Sequence, residues 1–155
     1  MVYRFCKSGC SDGYNPTGNL ILDANGNLLG TTPGGGANTA GGVVFKLTTG
    51  GKETVRYSFC ALANCADGRG AYGSLLKIGS ALYGTTFYGG TSTGNGTAYQ
   101  LSGTTLTTLK IFCEKASCAD GTYPDGDLIT DGAGNIYGLT SSGGGGSGIA
   151  FELSP

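Results

Sequence analysis

The chain contains no histidine and no tryptophan, and only 12% of its residues are charged. Without an imidazole there is no base for a Ser-His-Asp or Cys-His nucleophile, and the commonest metal ligand is missing as well. Much of hydrolytic chemistry is excluded at that step, and we expect no cofactor and no bound metal. Nine basic residues are scattered among ten acidic ones for a net charge of −1, so no basic stripe exists to neutralise a phosphate backbone, and nucleic acid is not an expected partner. No apolar run approaches the ~20 residues of a membrane-spanning helix. Met1-Val2-Tyr3-Arg4 is not the start of a signal peptide, so an exported form of this chain is expected to have lost its leader.

What the chain has in abundance is glycine, 32 of 155 residues, about three times the usual ~7%. There is no Gly-X-Y period and only four prolines, which excludes collagen. Hydrophobic residues make up 39%, with nine Tyr and six Phe, a composition that collapses rather than staying disordered. The length suits one domain, residues 1–155.

That domain is a threefold repeat. Tyr3-Arg4-Phe5-Cys6 recurs as Tyr57-Ser58-Phe59-Cys60 and as Lys110-Ile111-Phe112-Cys113. Each copy continues to a second cysteine, a small residue and Asp-Gly: Cys10-Ser11-Asp12-Gly13, Cys65-Ala66-Asp67-Gly68 and Cys118-Ala119-Asp120-Gly121. Then follow Leu28-Leu29-Gly30-Thr31-Thr32, Leu82-Tyr83-Gly84-Thr85-Thr86 and Ile136-Tyr137-Gly138-Leu139-Thr140. A glycine-rich stretch leads to Val43-Val44-Phe45-Lys46-Leu47 and its counterparts ending at Leu101 and Leu153. The repeats span approximately 2–54, 55–108 and 109–155. Each holds four short β-branched, Leu and aromatic runs punctuated by Gly, Asn and Asp, and no segment carries a helical period. Four strands in about 50 residues is the size of a β-propeller blade. A stacked β-solenoid is the alternative, with coils that are normally shorter.

The turn Asp23-Ala24-Asn25-Gly26-Asn27, repeated as Asp131-Gly132-Ala133-Gly134-Asn135, resembles turns in NHL-type and two-component-regulator propellers. With the Leu-Tyr-Gly-Thr-Thr and Gly-x-Val-Phe-Lys-Leu strings, the whole chain resembles the bacterial tandem-repeat proteins called GloVer repeats. The second repeat departs from the pattern at Lys77-Ile78-Gly79-Ser80, which lacks the turn Asp. The resemblance implies exported or surface-anchored proteins, and so location more than chemistry. By analogy with the propellers, the strands of the first repeat are expected at Asn19 to Asp23, Asn27 to Thr32, Gly42 to Leu47 and Thr54 to Phe59. Val2 to Phe5 then forms an orphan outer strand, and the chain ends after a third strand, Ala150 to Leu153. Three blades are too few to close a ring. The expectation is an all-β fold of three four-stranded blades, closing as a six-bladed homodimer with the N-terminal strand exchanged between subunits. An open fibre, or a fragment of a longer array, is the alternative.

The six cysteines fall into three local pairs, Cys6 with Cys10, Cys60 with Cys65 and Cys113 with Cys118, each closing a small loop. Disulfides are geometrically reasonable there and imply an oxidising location, outside the cell or at its surface. Zinc needs four ligands, and neighbouring pairs would sit a blade apart. On the same face as these loops the strand order places the glycine-rich loops, among them Pro33 to Gly41. Candidate ligand contacts are Asn38, Asp67, Arg69, Tyr72, Phe87, Tyr88, Asp120 and Tyr123, with Thr39 and Asn95 nearby. Flat aromatic faces beside planar hydrogen-bonding groups suit sugar rings. The plainer role of Asp12, Asp67 and Asp120 is to cap their turns, and that of the aromatics is packing between blades. Asp23 to Asn27 could hold Ca²⁺, or could simply be an Asx-turn. Asp125 and Asp127 could pair for glycoside hydrolysis, although two acids in a turn are usually only solvated. The functional expectation is a non-catalytic, extracellular, carbohydrate-binding module. A self-assembling surface or fibre repeat without a ligand is the alternative, and an Asp-dependent glycoside hydrolase comes third.

Overall fold

The computed structural model describes residues 1–7, 9–38, 41–91 and 93–154; Thr39 lies outside them. The fold is all-β, with one antiparallel four-stranded sheet per repeat. The first sheet runs in the order β1 (Ile21–Leu22), β2 (Leu28–Thr32), β3 (Val43–Leu47) and β4 (Glu53–Ser58). The second repeats it with β5 (Leu76–Ile78), β6 (Ala81–Thr86), β7 (Thr97–Ser102) and β8 (Thr105–Ile111). In the third, β10 (Ile129–Thr130), β11 (Ile136–Ser142) and β12 (Ala150–Leu153) keep the order, and the fourth strand is β9 (Thr122–Pro124), paired to the far end of β11.

Turn chemistry sets the first hairpin of each sheet. Asp23 accepts from the amides of Asn25 and Asn27 at 2.9 Å each and from the Asn27 side chain, an Asx-turn between β1 and β2. Asp131 does the same for Ala133 and Asn135. The second repeat lacks the acid and uses the two-residue turn Gly79-Ser80, with Gly79 at φ 59°.

Each second strand carries a glycine opposite an aromatic ring: Gly30 pairs with Phe45, Gly84 with Tyr99 and Gly138 with Phe151. The ring lies on the missing side chain, since a Cβ on Gly30 would meet Phe45 Cζ at 2.7 Å. Tyr99 is fully buried, its hydroxyl has no hydrogen-bond partner among the described residues, and burial pushes its pKa up. Phe occupies this station in both other repeats. Tyr99→Phe is therefore expected to stabilise the protein by about 1 kcal/mol in urea unfolding, because it removes an orphaned buried hydroxyl. A loss of stability would show that the hydroxyl is used.

Between the first and second sheets Leu29 and Val44 pack on Phe59, Leu75, Leu82, Tyr99 and Leu101. Between the second and third, Ala81, Tyr83 and Ala98 pack on Phe112, Leu128, Ile136, Phe151 and Leu153. The two interfaces use equivalent stations. At their inner ends the repeats meet directly: the Asn19 amide donates to Ser74 Oγ at 2.7 Å, and the Ser74 amide donates to Asp127 Oδ1 at 2.9 Å. Asn19 Nδ2 closes the set onto Asp127 Oδ2 at 3.2 Å. These are the same station in the three copies, so β1, β5 and β10 lead away from a common centre.

Val2 to Phe5 forms no strand. It lies instead along the outer face of the first sheet, where Phe5 packs edge-on to Phe45 with centroids 4.9 Å apart. Phe59 meets Tyr99, and Phe112 meets Phe151, in the same way. The segment thus holds the packing position of an outer strand but has no sheet partner to pair with.

Candidate functional site

The three cysteine pairs are disulfides, and all six cysteines have left-handed backbone, φ 50° to 62°. Each loop folds around the carboxylate of its Asp-Gly. Asp67 accepts from the Ala61 and Leu62 amides at 2.9 and 3.1 Å and from the Tyr57 hydroxyl at 2.9 Å. Asp12 accepts from the Cys6 and Lys7 amides and the Tyr3 hydroxyl. Asp120 takes the Glu114 and Lys115 amides and, in place of a phenol, Lys110 Nζ at 2.9 Å. Burial, then the hydrogen bond to Asp12, pushes the Tyr3 phenol up to about 12; burial and Asp67 push Tyr57 up further. All three acids are buried, and Asp67 completely. Asp67 and Asp120 are therefore removed from the set of ligand contacts, because their oxygens are turned inward to hold the disulfide loop.

The loop is tied in turn to the glycine-rich loop of its own repeat. The carbonyls of Cys10, Cys65 and Cys118 each accept two amides, from Gly13 and Gly36, Gly68 and Gly90, and Gly121 and Gly144. Gly89 sits between these contacts at φ 87°, and a Cβ there would meet Cys65 O at 2.6 Å, so only glycine lets the two loops lie together. Antiparallel bridges extend the join: Tyr14 with Gly34, Arg69 with Tyr88, and Thr122 with Ser142 in β9 and β11.

This join builds the open face. A cavity of about 480 Å³ between the first two repeats is lined by Tyr14, Asn15, Thr17, Pro33, Gly34, Arg69, Gly70, Tyr72 and Tyr88. A second, of about 260 Å³, is lined by Tyr72, Phe87, Tyr88 and Asp125. Tyr72 and Tyr88 are common walls. Phe87 stacks on Tyr123 with centroids 5.1 Å apart and planes 16° apart, and it packs edge-on against Tyr72 and Tyr88. Tyr123 holds this place with φ 57°, at the station filled by Asn15 and Gly70 in the other repeats. A bulky residue held in left-handed backbone is uncommon, and such strain concentrates at functional surfaces. Its amide donates to Asn95 O, and its carbonyl accepts from Ser141 Oγ.

The sequence-selected residues therefore divide. Arg69, Tyr72, Phe87, Tyr88 and Tyr123 come together. Asn38 is exposed, donates to Phe59 O at 3.3 Å and stands outside both cavities. Asn95 is buried and braces Thr122 and Thr93. Tyr14, on the same loop face, and Thr17 join Arg69, Tyr72 and Tyr88 in the larger cavity. They occupy the repeat stations of Arg69 and Tyr72, and for Thr17 that position is the only signal in the sequence.

Asp23, Asp127 and Asp131 are structural. Asp127 is held below the usual carboxylate range by hydrogen bonds from Ser74, then Asn19. Asn27, ahead of Lys46 at 3.0 Å, lowers Asp23, and Asn135 and the Ala133 amide lower Asp131. Burial raises Asp120, but the Lys110 and Lys115 hydrogen bonds outweigh it and the net shift is downward. A carboxyl depressed on folding stabilises above its unfolded pKa, and that contribution is lost as pH falls through the folded value. Urea midpoints are expected to hold through neutral pH and to fall progressively below about pH 4. Asp127→Asn should flatten part of that slope; an acid limb identical to the parent's would contradict its assignment. Among the described residues no group of three Cys, Asp or Glu is placed to hold a metal, and no helix is long and apolar enough to cross a membrane.

Comparison with known families matches residues 1–155 to the Gloeobacter/Verrucomicrobia repeat. No curated protein matches the chain.

Proposed function

The chain belongs to the Gloeobacter/Verrucomicrobia repeat family, and on that premise we propose that it is a non-catalytic extracellular module that binds carbohydrate on its loop face. The observation that carries this reading is the pair of adjoining cavities walled by Tyr72 and Tyr88. The larger lies within the ~300–1,000 Å³ of small-ligand sites, and its walls combine flat aromatic faces with hydroxyl, amide and guanidinium groups. Three disulfides on this side of the molecule favour an oxidising location. The Asp-dependent hydrolase is disfavoured, since both oxygens of Asp127 are taken up by hydrogen bonds from the Ser74 amide and Asn19 Nδ2. A glycan array probed with the non-reduced protein tests the proposal. Retention that is lost in the Tyr72→Ala/Tyr88→Ala double variant supports it, and no binding at ~1 mM sugar overturns it.

A second reading, self-assembly of blades, is favoured by the exposure of the two outer faces. Leu139 is 61% exposed, whereas its equivalents Thr31 and Thr85 are 3% and 5% exposed. Ile129 is 65% exposed, whereas Ile21 and Leu76 pack into the clusters between blades. On the opposite outer face, Leu20 is 51% exposed against 4% for Leu75 and 6% for Leu128. The outward edge of β12 has no partner strand among the described residues. The pairs Val44 with Tyr57 and Ala98 with Lys110 set a register in which Tyr3 of a second copy lies opposite Ala150. Two copies joined so on both sides would make a six-bladed ring, and one-sided joining would make a fibre. Repeated shallow sites on a closed ring would bind through avidity.

A further inference from the structure

We infer that the cavity between the first two repeats selects a saccharide bearing a single carboxylate, with Arg69 as the group that reads it; the inference rests on the carbohydrate-binding reading above.

Arg69 is the one cationic residue lining either aromatic cavity. Its backbone is fixed, since its amide donates to Tyr88 O and its carbonyl accepts from the Tyr88 amide, both at 2.9 Å. Its guanidinium lies over the Tyr88 ring, 5.1 Å from the centroid. Among the described residues no carboxylate forms an ion pair with it; the two ion pairs there are Lys46 with Asp23 and Lys110 with Asp120. An arginine in a chain this poor in charge thus stands oriented, stacked and unpaired at the wall of a cavity. A planar guanidinium fork matches a carboxylate bidentately, and stacking reduces the freedom lost when it binds.

Charge count decides the ligand class. One cation suits one carboxylate, whereas a nucleotide or polyphosphate would bring several charges into a cavity with a single partner for them. The adjoining cavity points the same way. Across the shared Tyr72 and Tyr88 walls it presents Asp125, an acceptor for sugar hydroxyls that would repel a second acid group. The preferred ligand is then a uronate residue at Arg69 linked to a neutral residue on the Asp125 side, with ring faces on the tyrosines. In the other repeats Tyr14 and Thr122 occupy the Arg69 station, so this preference belongs to one junction only.

The test is calorimetric titration of the non-reduced protein with a glucuronate-containing disaccharide, its methyl ester and the matching neutral disaccharide. The acid should bind about tenfold more tightly than the other two, a margin that charge-assisted hydrogen bonds supply. Arg69→Gln should erase that margin, so that acid, ester and neutral sugar bind alike, while Arg69→Lys keeps part of it. Equal binding of acid, ester and neutral sugar, or a margin that survives Arg69→Gln, overturns the inference and leaves the carbohydrate reading standing. Binding of none of the three overturns both.

Discussion

Asp67→Ala is expected to destabilise the protein by about 3 kcal/mol, lowering its melting temperature by roughly 10 °C. The side chain is completely buried and accepts three hydrogen bonds, from Tyr57 Oη and from the Ala61 and Leu62 amides. Hydrogen bonds to a charged acceptor contribute about 1.5–3 kcal/mol each, and removing the acceptor also leaves its donors unsatisfied. The two amides lie in an exposed stretch where water can replace part of the loss; the phenol has less access. A double-mutant cycle with Tyr57→Phe isolates the buried pair and should return a coupling of about 1–2 kcal/mol. A loss below about 1 kcal/mol for Asp67→Ala would mean that the disulfide alone holds the loop and that the carboxylate is free for another role.

Leu139→Glu is expected to abolish self-association while leaving each chain folded. Leu139 lies on the uncovered face of the third sheet, 61% exposed. At the equivalent station Thr31 donates to Gly73 O of the next repeat at 2.9 Å, so Leu139 of one copy would face Gly18 of another. A carboxylate forced into such a junction without a partner costs several kcal/mol, which weakens association by roughly a hundredfold or more. In the isolated chain the same side chain remains in water and costs little. Sedimentation of parent and variant separates the cases. The parent should run at about twice its 15.5 kDa or larger and the variant at chain mass, with equal melting curves when dilute. A monomeric parent, or a variant that associates equally well, would remove the assembly reading.

Much of this fold is legible because the chain states it three times. A strand of five residues is ambiguous alone, yet Leu28–Thr32, Ala81–Thr86 and Ile136–Ser142 in register with one another leave little freedom, and the cysteine pairs recur at one place in that register. The site is less legible. Asp-Gly reads locally as a turn, and nothing in its spacing reveals that Tyr57 or Lys110 reaches across the loop to the carboxylate. The aromatic cluster depends on Tyr88 bridging Arg69 and on Tyr123 entering a left-handed station, both of which need the two loops joined first. Val2 to Phe5 reads as a strand because its equivalents are strands, but a strand needs a neighbouring edge, and one copy does not present it. The contact of Asn19 and Ser74 with Asp127 follows from the curvature of the whole assembly, which no single repeat encodes.

Sugar binding on the loop face between the repeats can be read residue by residue with ring-labelled tyrosine NMR. The chain has nine tyrosines, some on that face and others in the interior or elsewhere on the surface. On titration with an oligosaccharide, Tyr14, Tyr72, Tyr88 and Tyr123 should shift with one common saturation curve. Tyr57, tied to Asp67, and the buried Tyr83 and Tyr99 should stay in place. No shift at ~1 mM sugar, or shifts confined to tyrosines away from the two cavities, would contradict sugar binding at this face.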